Sequence, residues 1–361
     1  MAVIIPVRNQ PVELEACLAG VLRAGVRPEQ IVVVDDASAG AATAQVAERH
    51  GVRLVRRDRR GGPAAARNAG VAAAAGARIL FFVDSDVVVA PDVLRRLELA
   101  LREPTIGAVF GSYDAVPAVR TLVSRYRNLL HHYVHQEGAA EAWTFWSGCG
   151  AIRREAFLAV GGFDESWAWV EDIELGYRLR SAGWRIRLEK TLQGTHLKRW
   201  TLVSMIRSDV AHRARPWTRL LLEAGVLPDD LNVSRGQRAS VALSCIAVAG
   251  LPLAPVLPQV ALPVIVAALI GVTLFNARLL GFLSQIGGPG FAAMCFPLHV
   301  IHHVCAGLGF AWGWTEWRLG GARLSRVLPA LVPRAGATPG LEDGAYTTGR
   351  PNDAHNGGLH R

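Results

Sequence analysis

Along residues 1–89, unbroken apolar runs alternate with stretches in which apolar residues recur at every third or fourth position. The runs "AVIIPV" (2–7), "QIVVVDDAS" (30–38), "VRLVRR" (52–57) and "FFVDSDVVV" (81–89) have the pattern of strands covered on both faces. Between them, "VELEACLAGVLRAG" (12–25), "GAATAQVAERHG" (40–51) and "PAAARNAGVAAAAG" (63–76) have helical spacing, and Gly25 is a C-terminal cap signal. Strand and helix thus alternate, which predicts an α/β fold: a doubly wound, mostly parallel sheet with helices on both faces. In such sheets ligands sit beyond the carboxyl ends of the strands, where Asp35 and Asp84 fall.

The pattern changes beyond residue 238. "ASVALSCIAVAGLPLAPVLPQVALPVIVAALIGVTLFNA" (239–277) carries no charge, and "FAAMCFPLHVIHHVCAGLGFAWGW" (291–314) adds a further apolar run. Each supplies the roughly 20 residues that cross a bilayer. Residues 238–257 and 259–282 read as a hairpin turning near "PVLPQ". The third run carries His299, His302 and His303, which are costly in a true span, so a re-entrant or in-plane helix is expected there. The expected organisation is 1–200, an α/β domain; 201–237, basic amphipathic interfacial helices; 238–316, membrane helices; and 317–361, a basic, Gly-rich, flexible tail.

Charge supports a membrane setting. The net charge is +9, and much of the excess flanks the apolar runs, in "RSDVAHRARPWTRLL" (207–221) and at Arg318, Arg323, Arg326 and Arg334. Basic residues beside spans favour an anionic lipid surface and argue against nucleic acid as partner. "MAVIIPVRN" lacks the basic start of a signal peptide, so the first domain is expected in the cytoplasm, with the chain multi-pass in the cell inner membrane. The five cysteines show no C-x-x-C spacing, which suggests neither a disulfide framework nor a zinc site.

The chemistry gathers at carboxylates. No G-x-G-x-x-G follows the first strand and no G-x-x-x-x-G-K-[ST] occurs, which weakens dinucleotide-binding and phosphate-loop readings. Asp84 and Asp86 close a buried run and repel one another unless a cation meets them; the alternative is a solvated cap on a strand end. Mg²⁺ or Mn²⁺, which take hard oxygen ligands and share their shell with a diphosphate, suit the first reading. Arg67 follows the glycines as a phosphate or base contact, or as a surface helix residue.

"VIIPVRN", "IVVVDDAS", "GGPAAARNAG", "FFVDSD", "GCGAIRREAFLAVGGFDES" and "WVEDIELGYRLRSAGWRI" resemble, in order and spacing, the inverting family 2 glycosyltransferases of the GT-A fold, over roughly residues 1–200. The resemblance implies a nucleotide-diphosphate sugar as donor, with Pro6, Arg8 and Asp35 lining the base pocket, Arg67 nearby, and Asp84 and Ser85 near the ribose. Asp86, with Asp84, would hold Mg²⁺ or Mn²⁺ on the diphosphate, and His196 would face the metal or lie in a solvated loop. Asp172 of the Glu171-Asp172 pair would be the base; two acids opening a helix also suit its dipole. Trp146, Gly148 and Trp200 would border the acceptor, although a tight turn also explains "GCG". "THLKRWT" resembles the Q-x-x-R-W motif of processive synthases, but His196 stands where Gln would be and Gln193 is out of register, which argues against processive synthesis. The function implied is transfer of a sugar onto a lipid-linked acceptor, polyprenyl phosphate or a glycolipid, in cell-envelope glycan synthesis. A polymer synthase or export component is the alternative. The third apolar segment is expected to pack under the catalytic domain near 207–221, with the tail cytosolic, forming a groove that presents the acceptor to Asp172.

Overall fold

The computed structural model describes residues 1–225 and 233–319. The chain opens with β1 (Ala2–Val7), α1 (Pro11–Arg23), β2 (Ile31–Asp35), α2 (Ala42–Arg49), β3 (Arg53–Arg56), α3 (Gly62–Ala73) and β4 (Ile79–Val83). β5 (Val87–Val89), α4 (Val93–Ala100), β6 (Ile106–Tyr113), α5 (Leu122–Glu137), β7 (Glu141–Ala142), β8 (Cys149–Arg153), α6 (Arg154–Ala159), α7 (Glu171–Ser181) and β9 (Arg185–His196) complete the α/β part. The sheet order is β3-β2-β1-β4-β8-β6-β9-β5, with β7 on β9. β3, β2, β1 and β4 run parallel, as the alternation predicts. The far half is mixed: β8 lies antiparallel between β4 and β6, and β6 pairs parallel with β9.

The run "FFVDSDVVV" parts into two strands. Val83 ends β4, the Val87 N–H donates to the Asp84 carbonyl at 3.0 Å, and Val87–Val89 pairs with β9 at the other end of the sheet. In one continuous strand Asp84 and Asp86 would share a face of a buried pleat; the turn brings them to the sheet's ligand end. Side chains alternate along β1: Val3 and Ile5 pack with Leu14 and Leu18 of α1, while Ile4 packs with Ala66 and Val71 of α3. Gly70 lets α3 close on Ile4 and Val34, since a Cβ there would collide with both.

Behind the sheet come α8 (Leu202–Arg207), a π-helix (Ser208–Ala214), α9 (Arg215–Ala224), α10 (Arg235–Gly250), α11 (Pro258–Phe275), α12 (Ala277–Gly287) and α13 (Pro289–Leu319). Three segments are long and apolar enough to cross a membrane: Arg235–Leu253, Pro258–Phe275 and Pro289–Leu319. The first two form the expected hairpin, closed where Asn276 Nδ2 donates to Ser240 Oγ at 2.9 Å. The second run stops short of residue 282, because the chain breaks at Asn276 and α12 packs Leu279 and Leu283 with Tyr126 and Leu129 of α5.

α13 is one continuous helix of 31 residues, about 46 Å long at 1.5 Å per residue, so the re-entrant form does not occur. It touches the rest of the molecule along its length. Arg125 of α5 lies 4.0 Å over the Phe291 ring, Tyr126 Oη is 2.9 Å from His299 Nδ1, and His302 Nδ1 is 2.8 Å from Asp209 Oδ2 in the π-helix. Arg127 adds a 2.6 Å ion pair to Asp209, and His303 Nε2 is 3.1 Å from His299 Nε2. The histidines that made this run costly are thus buried among polar partners. Further along, Gly309 and Gly313 bring α13 against the backbone of the π-helix and α9, and Glu316 receives Arg215 at 2.8 and 2.7 Å. The helix therefore lies beneath α5, the π-helix and α9, beside the 207–221 stretch. Residues 226–232 of the expected interfacial region, and the tail from residue 320 onward, fall outside the described residues.

Candidate active site

A cleft of about 450 Å³ opens at the carboxyl ends of β1, β2 and β4. Pro6 and Arg8 line it from the end of β1, Asp84, Ser85 and Asp86 from the turn after β4, and Glu171 and Asp172 from the start of α7. Arg67 reaches it from α3. That guanidinium is buried and both terminal nitrogens are paired: Nη2 donates to Asp84 Oδ1 at 2.7 Å and Nη1 to Glu171 Oε1 at 2.6 Å, while Nε has no partner among the described residues. Burial works against its charge, but Asp84 and Glu171 hold its pKa above the ordinary arginine value. Arg67 thus positions two carboxylates and is neither a surface residue nor a free contact for phosphate.

Two acids follow a strained residue. Val170 has φ 60°, a left-handed conformation that a β-branched side chain rarely adopts, and it sets the first turn of α7 against the cleft. Burial raises the Glu171 pKa to about 7 in spite of Arg67, and the nearby Asp172 charge adds to it. Burial also raises the Asp172 pKa, with Arg67 and Ser147 pulling the other way. Ser147 donates its backbone N–H and its hydroxyl to Asp172 Oδ2, each at 3.1 Å.

Asp35 is wholly buried and does not line the cleft directly. Its Oδ1 accepts the Ser38 N–H at 2.8 Å; Oδ2 has no hydrogen-bond partner among the described residues, and Arg56 Nε is 3.8 Å away. Asp36 stands at the cleft wall instead, accepting the N–H groups of Gly61 and Gly62 at 2.9 and 2.8 Å and fixing the glycine turn before α3. Ser85 Oγ donates to Gln10 Oε1 at 2.9 Å.

Asp86 Oδ2 and His196 Nε2 face one another at 3.5 Å. Although burial opposes it, the His196 ring holds the Asp86 carboxyl below the usual range. His196 is itself buried, stacked on Tyr113 with centroids 4.1 Å apart, so it is not a solvated loop residue. A carboxylate and an imidazole with Asp84 on the same turn are donors that suit Mn²⁺ or Mg²⁺. Among the described residues no group of three His, Cys, Asp or Glu can hold a metal ion alone, so substrate oxygens would have to complete the shell.

Trp146 and Trp200, expected at the acceptor, do not line this cleft; they line a second cavity of about 190 Å³, with Tyr113, His131 and His196. Gly148 is required by packing, because a Cβ there would collide with the Trp146 indole. Cleft residues that escaped the sequence reading include Arg60, Ser147, Trp169 and Lys198. Lys198 had one signal, its place two residues beyond His196; Arg60 stands in the basic run before the glycines; Ser147 and Trp169 had none.

A family model, "Glycosyl transferase family 2", matches residues 2–161. Among curated relatives, the chain is 35% identical over 105 residues to "Succinoglycan biosynthesis protein ExoA" of Rhizobium meliloti, covering 26% of this chain and 32% of the relative. It is 31% identical over 199 residues to "Pre-mycofactocin glycosyltransferase" of Mycobacterium tuberculosis, covering 52% of this chain and 41% of the relative. The chain thus spans about a third to two fifths of the length of these relatives. A solved mannosyltransferase from Pyrobaculum calidifontis, in complex with GDP-Man and Mn²⁺, superimposes with a TM-score of 0.53 at 21% identity over 86% of both chains, which shows the shared GT-A fold.

Proposed function

The chain belongs, over residues 2–161, to glycosyl transferase family 2, and from that premise we propose that it moves a sugar from a nucleotide-diphosphate donor onto a lipid-linked acceptor at a membrane. The observation that carries this reading is Asp172, a half-buried carboxyl with a raised pKa, fixed by Ser147 in the cleft that Arg8, Arg60 and Lys198 make cationic.

In this reading the acceptor O–H gives its proton to Asp172 and the oxygen attacks the anomeric carbon. The bond from that carbon to the diphosphate breaks, its electron pair leaves with the nucleoside diphosphate, and the configuration inverts. Arg8, Arg60 and Lys198 offset the charge that develops on the leaving group. Pro6 and Arg8 would line the place of the donor base, with Asp35 buried behind them, while Asp84 and Ser85 face the ribose. Asp86 and His196, with Asp84 close by and substrate oxygens completing the shell, would hold Mg²⁺ or Mn²⁺, which neutralises diphosphate charge when bound. Glu171 acts through Arg67.

α10 and α11 have the length of two crossings, and α13, with its start against α5 of the α/β domain and its end against α9, lies in the membrane surface beneath them. The catalytic domain is cytoplasmic at the inner membrane, the product is a cell-envelope glycan precursor, and two crossings leave no wall for a polymer channel. Membranes containing the protein, incubated with a panel of radiolabelled nucleotide sugars, should carry one label into the organic extract. Label recovered only as water-soluble sugar would reject the lipid-linked acceptor.

A further inference from the structure

Beside the main cleft lies a third pocket of about 360 Å³, between the loop that precedes α7 and the segment from Arg207 to Arg219. Trp169 belongs to both and forms the partition. Its indole is stacked on the His212 ring with centroids 3.8 Å apart and planes at 13°, leaving the tryptophan 39% exposed. Asp172 is three residues further along the chain, on the main-cleft side.

The pocket is cationic. Arg207, Arg215 and Arg219 line it against one acid, Glu316, which is taken by Arg215. The Arg207 side chain makes no ion pair or hydrogen bond among the described residues, whereas Arg219 Nε donates to Glu223 Oε1 at 3.0 Å while its guanidinium carbon lies 5.9 Å from the Trp167 ring centroid. Burial, with Arg207 and Lys198 close by, holds His212 below its ordinary pKa, so His212 meets the pocket as a neutral ring.

A separate observation gives the level of the pocket relative to a bilayer. Glu316 sits at the end of α13 among Trp312, Trp314 and Trp317, which are 46%, 43% and 39% exposed, and interfacial tryptophans mark the headgroup layer. On the other rim, α8 exposes Leu202, Val203 and Ile206 next to Arg207. A cationic pocket thus opens between two apolar, lipid-facing edges.

We infer that this pocket anchors the diphosphate of a lipid-linked sugar, whose ring lies against Trp169 and whose hydroxyl reaches Asp172. The inference rests on the transferase reading and chooses between its acceptors. A bare lipid phosphate is already ionised and needs no base, and it would bring its phosphate to the anomeric carbon. Here the arginines and the base stand on opposite sides of an aromatic partition, which separates an anionic anchor from a hydroxyl nucleophile.

The test uses the full-length protein in detergent and two synthetic probes, a glucosyl lipid diphosphate and the same glucosyl lipid joined through an ether. Nucleoside diphosphate binding, followed by calorimetry, tests the transferase reading by itself. Arg207→Gln should weaken the lipid diphosphate roughly tenfold in binding and in acceptor KM, and Arg207→Gln with Arg219→Gln further, while kcat and nucleotide affinity stay unchanged. Arg207→Lys should recover part of the loss. Equal binding of the ether lipid, or an unchanged acceptor KM in both variants, overturns the phosphate anchor while leaving the donor site intact. Inorganic pyrophosphate competing as tightly as the lipid diphosphate overturns the lipid source. Loss of nucleotide binding in the unmutated protein would reject the transferase reading, and this inference with it.

Discussion

Ser147 donates twice to the same oxygen of Asp172, through its backbone N–H and its hydroxyl. One carboxylate oxygen is thereby fixed and the group is held toward its ionised form against the pull of burial. Asp172→Asn should lower turnover by roughly 10²- to 10⁴-fold with donor affinity little changed. A near-normal rate in single-turnover assays would exclude proton removal by this residue.

The same pair sets a pH dependence. Asp172 has a raised pKa, and if its ionised form acts as the proposed base, the rate should fall as pH drops through that value. Ser147→Ala removes a bond that favours the ionised form, which shifts the acid limb of kcat toward higher pH. An unmoved limb with a uniformly reduced rate would mean that Ser147 only packs.

Arg67 is a structural keystone between like charges. Arg67→Met leaves Asp84 and Glu171 without their shared cation, and breaking a buried pair of this kind costs about 3–5 kcal/mol. Adding Glu171→Gln should return part of that loss, measured by thermal unfolding as a double-mutant cycle. Glu171 also acts by linkage. Its folded pKa of about 7 lies above the ordinary value, so the ligand-free protein should lose stability as pH rises between the two. Glu171→Gln should flatten that decline.

Metal dependence follows from Asp86 and His196. Chelation should abolish transfer, and Mn²⁺ or Mg²⁺ should restore it. His196→Ala and Asp86→Ala should each weaken nucleotide diphosphate binding in the presence of Mn²⁺ and leave metal-free binding nearly unchanged. Calorimetry with and without chelator separates these cases, and full activity in excess chelator removes the metal from the mechanism.

Topology has a direct measurement. With two crossings, Ala254→Cys in the hairpin turn should react with an impermeant thiol reagent added to intact cells, whereas Trp317→Cys should not. Labelling at residue 317 would show that α13 crosses.

Much of this was legible in the residues. The alternating runs gave the parallel half of the sheet because each βα repeat carries its own local signal, while the mixed half has no repeat to announce it. The turn at Asp84 was hidden because the valines after Asp86 continue the strand pattern and pair with β9, a hundred residues on. Pro6, Arg8, Asp84, Ser85, Asp86, Glu171 and Asp172, singled out in the residues, meet in one cleft. Trp146 and Trp200 line a different cavity, because ring size says nothing about which cavity a ring faces. Nothing local pairs His302 with Asp209, so three costly histidines could be noticed but their partners could not.

That pairing bears on how the molecule is made. The outer side of α5 presents Tyr126, Arg127, Leu129 and Leu130, all closed over in the finished protein by residues beyond 200, and by Cys295, Leu298 and Asp209 above all. During synthesis the α/β half leaves the ribosome first, with an arginine unpaired until the π-helix follows and an apolar strip facing water until α12 and α13 follow. A fragment ending near residue 200 would keep that wound permanently. It should aggregate when expressed alone, and the α/β half should become stable and active only together with the helices beyond residue 200 that complete it.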